Sequence, residues 1–355
     1  MFAMKLIQNV GITFDDVLMI PQRTPVESRK DVSLKTKLTR NVELDVPIIS
    51  ANMDTVTESE MAIAMAQLGG MGIIHRFMTI DQEAEEVAVV KKAGYRVGAA
   101  IGIKDDYLDR AKALVESGCD VLVIDIAHGH SDFLIRVLKK LKSSFKDVDV
   151  IAGNIATAQA AEDLIKAGAD GIKVGIGPGA LCTTRIVTGA GVPQITAINE
   201  AAKVAHAEGV PIIADGGIRY SGDIVKALAV GASSVMMGTV LAACEESPAI
   251  SFEREGKVYK LTRGMASIKA NKDRKEKDPT VDKNLKEYAA EGVEAFVPAK
   301  GKVADLLTPF LWGVRSGFSY SGACTIDELW KNAEFIRITQ SSLKESFPHD
   351  VNLLA

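Results

Sequence analysis

The sequence predicts an α/β fold, a (β/α)8 TIM-type barrel, on three observations. Eight short apolar runs of strand length recur between Val46 and Thr239. Amphipathic stretches separate them, with apolar residues at three- and four-residue steps and glycine closing the helical pattern. Glycine, aspartate, asparagine and histidine gather where the runs end, which in a barrel is the rim that carries active sites. An open doubly wound sheet usually has fewer strands and carries a GxGxxG turn after an early one.

The runs, in order, are VPIISANMD (46–54), MGIIHR (71–76), RVGAAIG (96–102), VLVIDIAHG (121–129), DVIAGN (149–154), GIKVGIG (171–177), VPIIADGG (210–217) and SVMMGT (234–239). They are rich in β-branched residues and lack strict alternation, as parallel strands buried on both faces do. EMAIAMAQLGG, DYLDRAKALVESG, AQAAEDLIKAGAD and SGDIVKALAVGAS read as helices between them. After the eighth run, residues 253–300 read as a long flap insertion. Its segment KANKDRKEKDPTVDKNLKEY is almost free of apolar residues, which suits either a solvated loop or a mobile lid over the rim. A helical pattern resumes at Leu307, and residues 341–355 read as a tail that docks or stays mobile. The whole of 1–355 reads as a single domain.

Composition removes several classes. With 47% hydrophobic, 25% charged and 5% aromatic residues in 355, the chain is neither disordered, collagen-like nor a coiled coil. The 42 basic and 46 acidic residues give a formal net charge of -4, so no basic field points to nucleic acid or to a membrane surface. No apolar stretch approaches the roughly 20 residues that span a bilayer. The N-terminus lacks a secretory pattern, and Cys119, Cys182, Cys244 and Cys324 are dispersed, so a reduced, cytoplasmic protein is expected.

The sharpest chemical segment is KVGIGPGALCTTR, 173–185. Three glycines and a proline surround Cys182 directly after a strand, exposing backbone groups and presenting one thiol at the rim. Cys119 and Cys244, in apolar surroundings, read as small core residues. Asp215-Gly216-Gly217 after run seven and Gly238-Thr239 after run eight occupy the usual phosphate-gripping position of a barrel. Further rim candidates are Asn52, Asp54, His75, Arg76, Asp125, His128, His130 and Asn154. A capping or packing role is favoured over a metal for His128 and His130, because no third ligand lies near in sequence.

GITFDDVLMIP, ISANMDTVTE, IDIAHGHS, KVGIGPGALCTTR, GVPQITAI, IIADGGIRYSGDIVKALAVGA, EGVEAFVPAKG and VRSGFSYSG, in this order, resemble the IMP dehydrogenase / GMP reductase family over essentially the whole chain. The resemblance implies that Cys182 bonds to C2 of a purine ring. It implies a monovalent cation, usually potassium, on the carbonyls of Gly177, Gly179 and Cys182. Asp215 would hold the ribose, Gly217, Gly238 and Thr239 the phosphate, and Met265 and Glu291 the base. Asp125, Asn154 and Gly175 would line the nicotinamide side of a bound NADPH or NAD. A homotetramer is also implied.

Two branches share the covalent intermediate. The dehydrogenase oxidises IMP with NAD and hydrolyses the intermediate to XMP, using an Arg-Tyr pair on its flap. The reductase removes ammonia from GMP and takes hydride from NADPH, using residues that correspond to Thr184 and Glu291. Here Arg274 is followed by Lys275, with Asp278-Pro279 beyond, and no Arg-Tyr pair occurs between Arg263 and Glu291. The chain also runs from His75 to Arg96 without the CBS modules that most dehydrogenases insert there. Ala180 stands where members usually carry Ser, and Thr262 where many carry a phosphate-binding Tyr. The expectation is a GMP reductase, with an IMP dehydrogenase using Arg274 or another base as the alternative. An inactive nucleotide-binding scaffold is a third reading.

Overall fold

The computed structural model describes residues 7, 9–104, 106–278 and 288–351. Pro279 and the remainder of the flap segment to 287, with tail residues 352–355, lie outside the described residues. Eight parallel strands close into a barrel: one (Ile48–Ser50), two (Met71–Ile74), three (Gly98–Ile101), four (Val121–Asp125), five (Asp149–Ile155), six (Gly171–Val174), seven (Ile212–Asp215) and eight (Ser234–Met237). Each coincides with one of the eight apolar runs. Between strands two and three the described chain forms a single helix, Ile80–Lys92.

Strand alternation divides the core. Ile172, Val174, Leu122, Ile124, Ile212 and Ala214 face outward and pack under the helices. Val121, Val123, Ile151, Ile213, Ile49 and Met236 face inward and fill the lumen. Leu38 and Leu44, on the hairpin formed by Thr36–Lys37 and Glu43–Leu44, join that inner cluster and close its lower mouth. The helices begin on side-chain caps, with Thr79, Ser131 and Thr157 each accepting an amide of the first turn. Positive-φ glycines such as Gly94, Gly118 and Gly168 follow the helix ends, as the sequence pattern predicts.

The insertion departs from the loop expectation. Ser251–Arg254, Lys257–Arg263 and Glu294–Pro298 form a three-stranded antiparallel sheet. The charged run is helical over Ile268–Lys277, so the solvated-loop reading fails there. Ser267 caps it, and Lys and Glu are good helix formers, so the segment needs little apolar surface to hold its shape. The last long helix, Val303–Tyr320, starts four residues before the predicted Leu307. Its first amide donates to the Glu246 carboxylate, at 3.0 and 3.2 Å, a cap supplied from 57 residues upstream. Phe335–Arg337, ahead of the tail, pairs antiparallel with Val17–Met19. A short helix, Gln340–Glu345, opens the tail, and Phe347 beyond it meets the Tyr220 ring edge-on at 6.4 Å.

Candidate active site

The site begins where strand alternation carries polar residues into the lumen. Asp125, Lys173 and Asp215 each lie two positions beyond an inward residue, Val123, Gly171 and Ile213, and so form the top layer of the barrel interior. Lys173 Nζ donates to Asp125 Oδ1 and to Asp215 Oδ2, both at 2.7 Å, and its side chain is 3% exposed. Burial alone would lower the Lys173 ammonium, but the two carboxylates outweigh it and raise it above the ordinary lysine range. Burial likewise opposes ionisation of Asp125. Lys173, with smaller help from Arg76 and Asn52, holds that carboxyl below its ordinary range.

Asn154 reaches the same layer through an irregularity. The pairing of strands five and six shifts register between Gly153 and Ile155, and such a bulge re-aims a side chain. Asn154 Nδ2 donates to the Gly175 carbonyl at 2.8 Å and to Asp215 Oδ2 at 2.9 Å. Its Oδ1 is buried with no hydrogen-bond partner among the described residues. Gly175 itself sits at φ +154, where a Cβ would fall 2.0 Å from the Asp215 carbonyl oxygen; the close approach requires glycine.

The cysteine loop leaves strand six and is laced to the far end of the flap. The Thr183 amide donates to the Glu291 carbonyl at 2.9 Å, and the Val293 amide to the Leu181 carbonyl at 3.0 Å. From below, Arg185 donates to the carbonyls of Ile176 and Val192. The lacing aligns three side chains. Cys182 Sγ donates to Thr184 Oγ1 at 3.1 Å, and Thr184 Oγ1 donates to Glu291 Oε2 at 2.8 Å. The result is a continuous path for a proton from thiol through hydroxyl to carboxylate. Within the same loop the Gly179 carbonyl accepts the Cys182 amide at 3.0 Å. A carbonyl oxygen keeps a second lone pair, so this turn still fits a monovalent cation.

The flap root is clamped by Arg263, which pairs with Asp54 and with Asp273, both at 2.6 Å. On the flap helix, Arg274 lies 5.0 Å over the Phe77 ring, with Arg76 5.5 Å from the same ring. Burial, then the positive charges of Arg76 and Arg110, push the Arg274 guanidinium down to about 10.

These elements enclose a cavity of about 760 Å³. Cys182, Thr184 and Glu291 line it, with Gly177 and Gly179 of the same loop. Asp215, Gly217, Gly238 and Thr239 reach it from strands seven and eight, and Met265 from the flap root. Asp125, Asn154 and Gly175 complete the set, so every residue expected at the site borders one space. Several rim candidates do not. Asp54 is spent on Arg263; buried His75 accepts the Phe77 amide and meets Glu58 at 3.2 Å. His130 pairs with Asp163 at 2.9 Å, and no metal-holding cluster of His, Cys, Asp or Glu occurs among the described residues. Thr262 is buried against Thr55 at 3.3 Å and is absent from the cavity wall. Lys173 is a site residue to which the sequence assigns no role; the signal for it is a lone charge within an apolar strand.

The profile of the IMP dehydrogenase / GMP reductase domain matches residues 11–349. The chain belongs to the IMP dehydrogenase / GMP reductase family. It is 47% identical to an inosine-5'-monophosphate dehydrogenase of Cryptosporidium parvum, over 97% of this chain and 96% of that one. It is 36% identical to a GMP reductase of Leishmania donovani, over 97% and 98% of the two chains. A crystal structure of a Trypanosoma brucei GMP reductase variant in complex with guanosine 5'-monophosphate superposes with a TM-score of 0.91, at 36% identity, covering 97% of this chain and 98% of that one. Membership in the IMP dehydrogenase / GMP reductase family makes this chain an NAD(P)-dependent oxidoreductase of purine metabolism.

Proposed function

We propose that the protein is a GMP reductase, converting GMP, NADPH and a proton to IMP, ammonia and NADP. The observation that carries this reading is the Cys182–Thr184–Glu291 hydrogen-bonded line on a cavity of nucleotide size, on a chain whose flap has no Arg-Tyr pair. Loss of a dedicated base on water typically costs on the order of 100- to 10,000-fold, which disfavours hydrolysis as the productive branch.

In this mechanism Asp215 accepts the ribose hydroxyls, and Gly217, Gly238 and Thr239 hold the phosphate with backbone amides in place of the hydroxyl that Ala180 lacks. Cys182 Sγ bonds to C2 of the base. The thiol proton passes through Thr184 to Glu291 and returns along the same path to the 2-amino group, which leaves as ammonia. The remaining thioimidate keeps C2 electrophilic. The reduced dinucleotide, when bound, supplies a hydride to C2. The bond from sulfur to C2 then breaks, IMP departs, and the thiolate regains a proton from solvent. The unpaired Asn154 Oδ1 suits a carboxamide N–H, so Asn154, Asp125 and Gly175 would hold the nicotinamide. Gly177, Gly179 and Cys182 would hold potassium and stiffen the loop. A homotetramer in the cytoplasm accompanies this reading.

One observation favours the dehydrogenase as a second reading: Arg274 borders the same cavity, and its lowered pKa brings it nearer to service as a base on water. Nicotinamide absorbance separates the two. GMP with NADPH should lose absorbance and release ammonia in potassium buffer. A rise with IMP and NAD, with XMP formed and no GMP reduction, would overturn the reductase reading.

A further inference from the structure

The top layer of the lumen holds one ammonium and two carboxylates, and the carboxylates serve different ligands in the reading above, on which this inference rests. Asp215, from strand seven, is assigned to the nucleotide ribose. Asp125, from strand four, is assigned to the dinucleotide. Lys173 stands between them on strand six, 2.7 Å from each, and it borders the cavity. We propose that Lys173 is a shared positioning residue, holding the carboxylates of both ligand sites aimed at the cavity, so that the two ligands depend on one buried cation.

Three features support this. First, the position is fixed by the fold. A Cβ on Gly153 would come within 2.7 Å of Lys173 Cβ, so the neighbouring strand leaves the lysine stem its channel and little freedom beside it. Second, the geometry fits nothing else nearby. A lysine needed for lumen packing alone would be replaced by an apolar residue at lower cost, since a buried ammonium is expensive unless paired. Third, each carboxylate keeps an oxygen outside the bridge to Lys173, which a ribose hydroxyl can use. The other groups acting on the trio are Arg76 and Asn52, both on Asp125, and the neutral Asn154, on Asp215.

Removing the ammonium leaves two carboxylates facing each other in a low-dielectric pocket. One of them then takes up a proton, because like charges at close range raise a carboxyl pKa. A protonated carboxyl is a poorer acceptor for ribose, so binding of both ligands fails together and fails at higher pH than in the wild type.

The test compares Lys173→Met and Lys173→Arg with the wild type as full-length protein. Calorimetry reads binding of GMP, IMP, NADP and NAD, and kcat/KM is followed against pH with whichever pair turns over. For Lys173→Met the expected result is on the order of 10-fold weaker binding of both the nucleotide and the dinucleotide. The acid limb of the profile should rise by about one pH unit or more. Lys173→Arg should restore most of both. If Lys173→Met folds poorly, the double variant Asp125→Asn with Lys173→Met relieves the repulsion. It should melt above the single variant, bind nucleotide as the wild type does, and stay weak for the dinucleotide. For Lys173→Met, weakening of one ligand only or an unmoved acid limb would overturn the proposal, and so would a double variant that binds nucleotide no better, or melts no higher, than Lys173→Met. Turnover of IMP with NAD instead of GMP with NADPH would sink the reductase reading and leave the lysine test standing on that pair. Absence of binding to any of the four ligands in the wild type would end both.

Discussion

The two mouths of the barrel use the same residue types to opposite ends. At the lower mouth Asp149 accepts from the Thr39 hydroxyl, from Asn41 Nδ2 at 2.8 Å and from the Asn41 amide. Asp170 there accepts from Lys142 Nζ at 2.6 Å and from the Val150 amide at 2.8 Å. Every such partner belongs to the protein, and the hairpin carrying Leu38 and Leu44 seals the end. At the upper mouth Asp125, Asp215 and Asn154 are tied down on one side and bare toward a cavity, with Asn154 Oδ1 left unpaired. Buried polar atoms are normally satisfied. Asp149 and Asp170, satisfied by the chain itself, hold the lower end together, whereas Asn154 Oδ1, without a partner among the described residues, faces a cavity that can admit a ligand.

Four experiments sharpen or break that contrast. The largest effect is expected from Cys182→Ala, which should cut turnover by about 10,000-fold or more while leaving the melting temperature unchanged. Retained activity would remove the covalent mechanism, and a large drop in melting temperature would mean that the rim also carries stability.

Next comes thiol accessibility. Burial pushes Cys119 and Cys244 up to about 12, which leaves so little thiolate at mildly alkaline pH that alkylation should run on the order of 1,000-fold slower than at an ordinary exposed thiol. Mass spectrometry should find Cys182 modified in the folded protein, and GMP should protect it. Modification of Cys119 before Cys182 would contradict the packing described for the core.

A smaller change is expected from Asp149→Ala at the lower mouth. It should cost about 1–3 kcal/mol of stability by stranding Asn41 and Thr39, with kcat/KM per folded molecule unaltered. A kinetic defect at matched folded fraction would show that the two mouths are coupled.

The smallest concerns Asp15 at the outer rim. The Arg219 hydrogen bond, opposed by partial burial, holds its carboxyl below the ordinary range. A carboxyl with a depressed folded pKa contributes stability above its unfolded value and loses it as pH falls through the folded value. Asp15→Asn should therefore melt slightly below the wild type at neutral pH, by under about 1 kcal/mol for so exposed a pair. The gap should close below about pH 4. A gap that persists in acid would assign the effect to packing.

The legible and illegible parts of the sequence divide by range. The eight strands could be read because a parallel strand buried on both faces is an uninterrupted apolar run, a property of a few adjacent residues. The cysteine loop could be read because glycine, proline and a thiol crowd into one stretch, and the resemblance named its companions. The cap from Glu246 to Val303 and the pairing of Phe335–Arg337 with Val17–Met19 depend on residues far apart, and no local pattern announces them. The flap helix is not legible in the sequence because a run dominated by Lys has no apolar stripe, although its intrinsic preference is helical. The role of Lys173 is not legible locally, because its meaning depends on two acids, 48 and 42 residues away.

The lacing of the cysteine loop to the flap also sets a clock on biosynthesis. Cys182 is translated long before Glu291, and the two strands of backbone that bring them together, Leu181–Thr183 and Glu291–Val293, can pair only once the later one has left the ribosome. Until then Thr184 stands without its carboxylate partner Glu291, and the helix Val303–Tyr320, which packs against the helix Ser221–Ala229, has yet to be made. Chemistry is thus among the last things the nascent chain acquires. A ribosome-bound product that ends before Glu291 should carry most of the barrel and none of the activity.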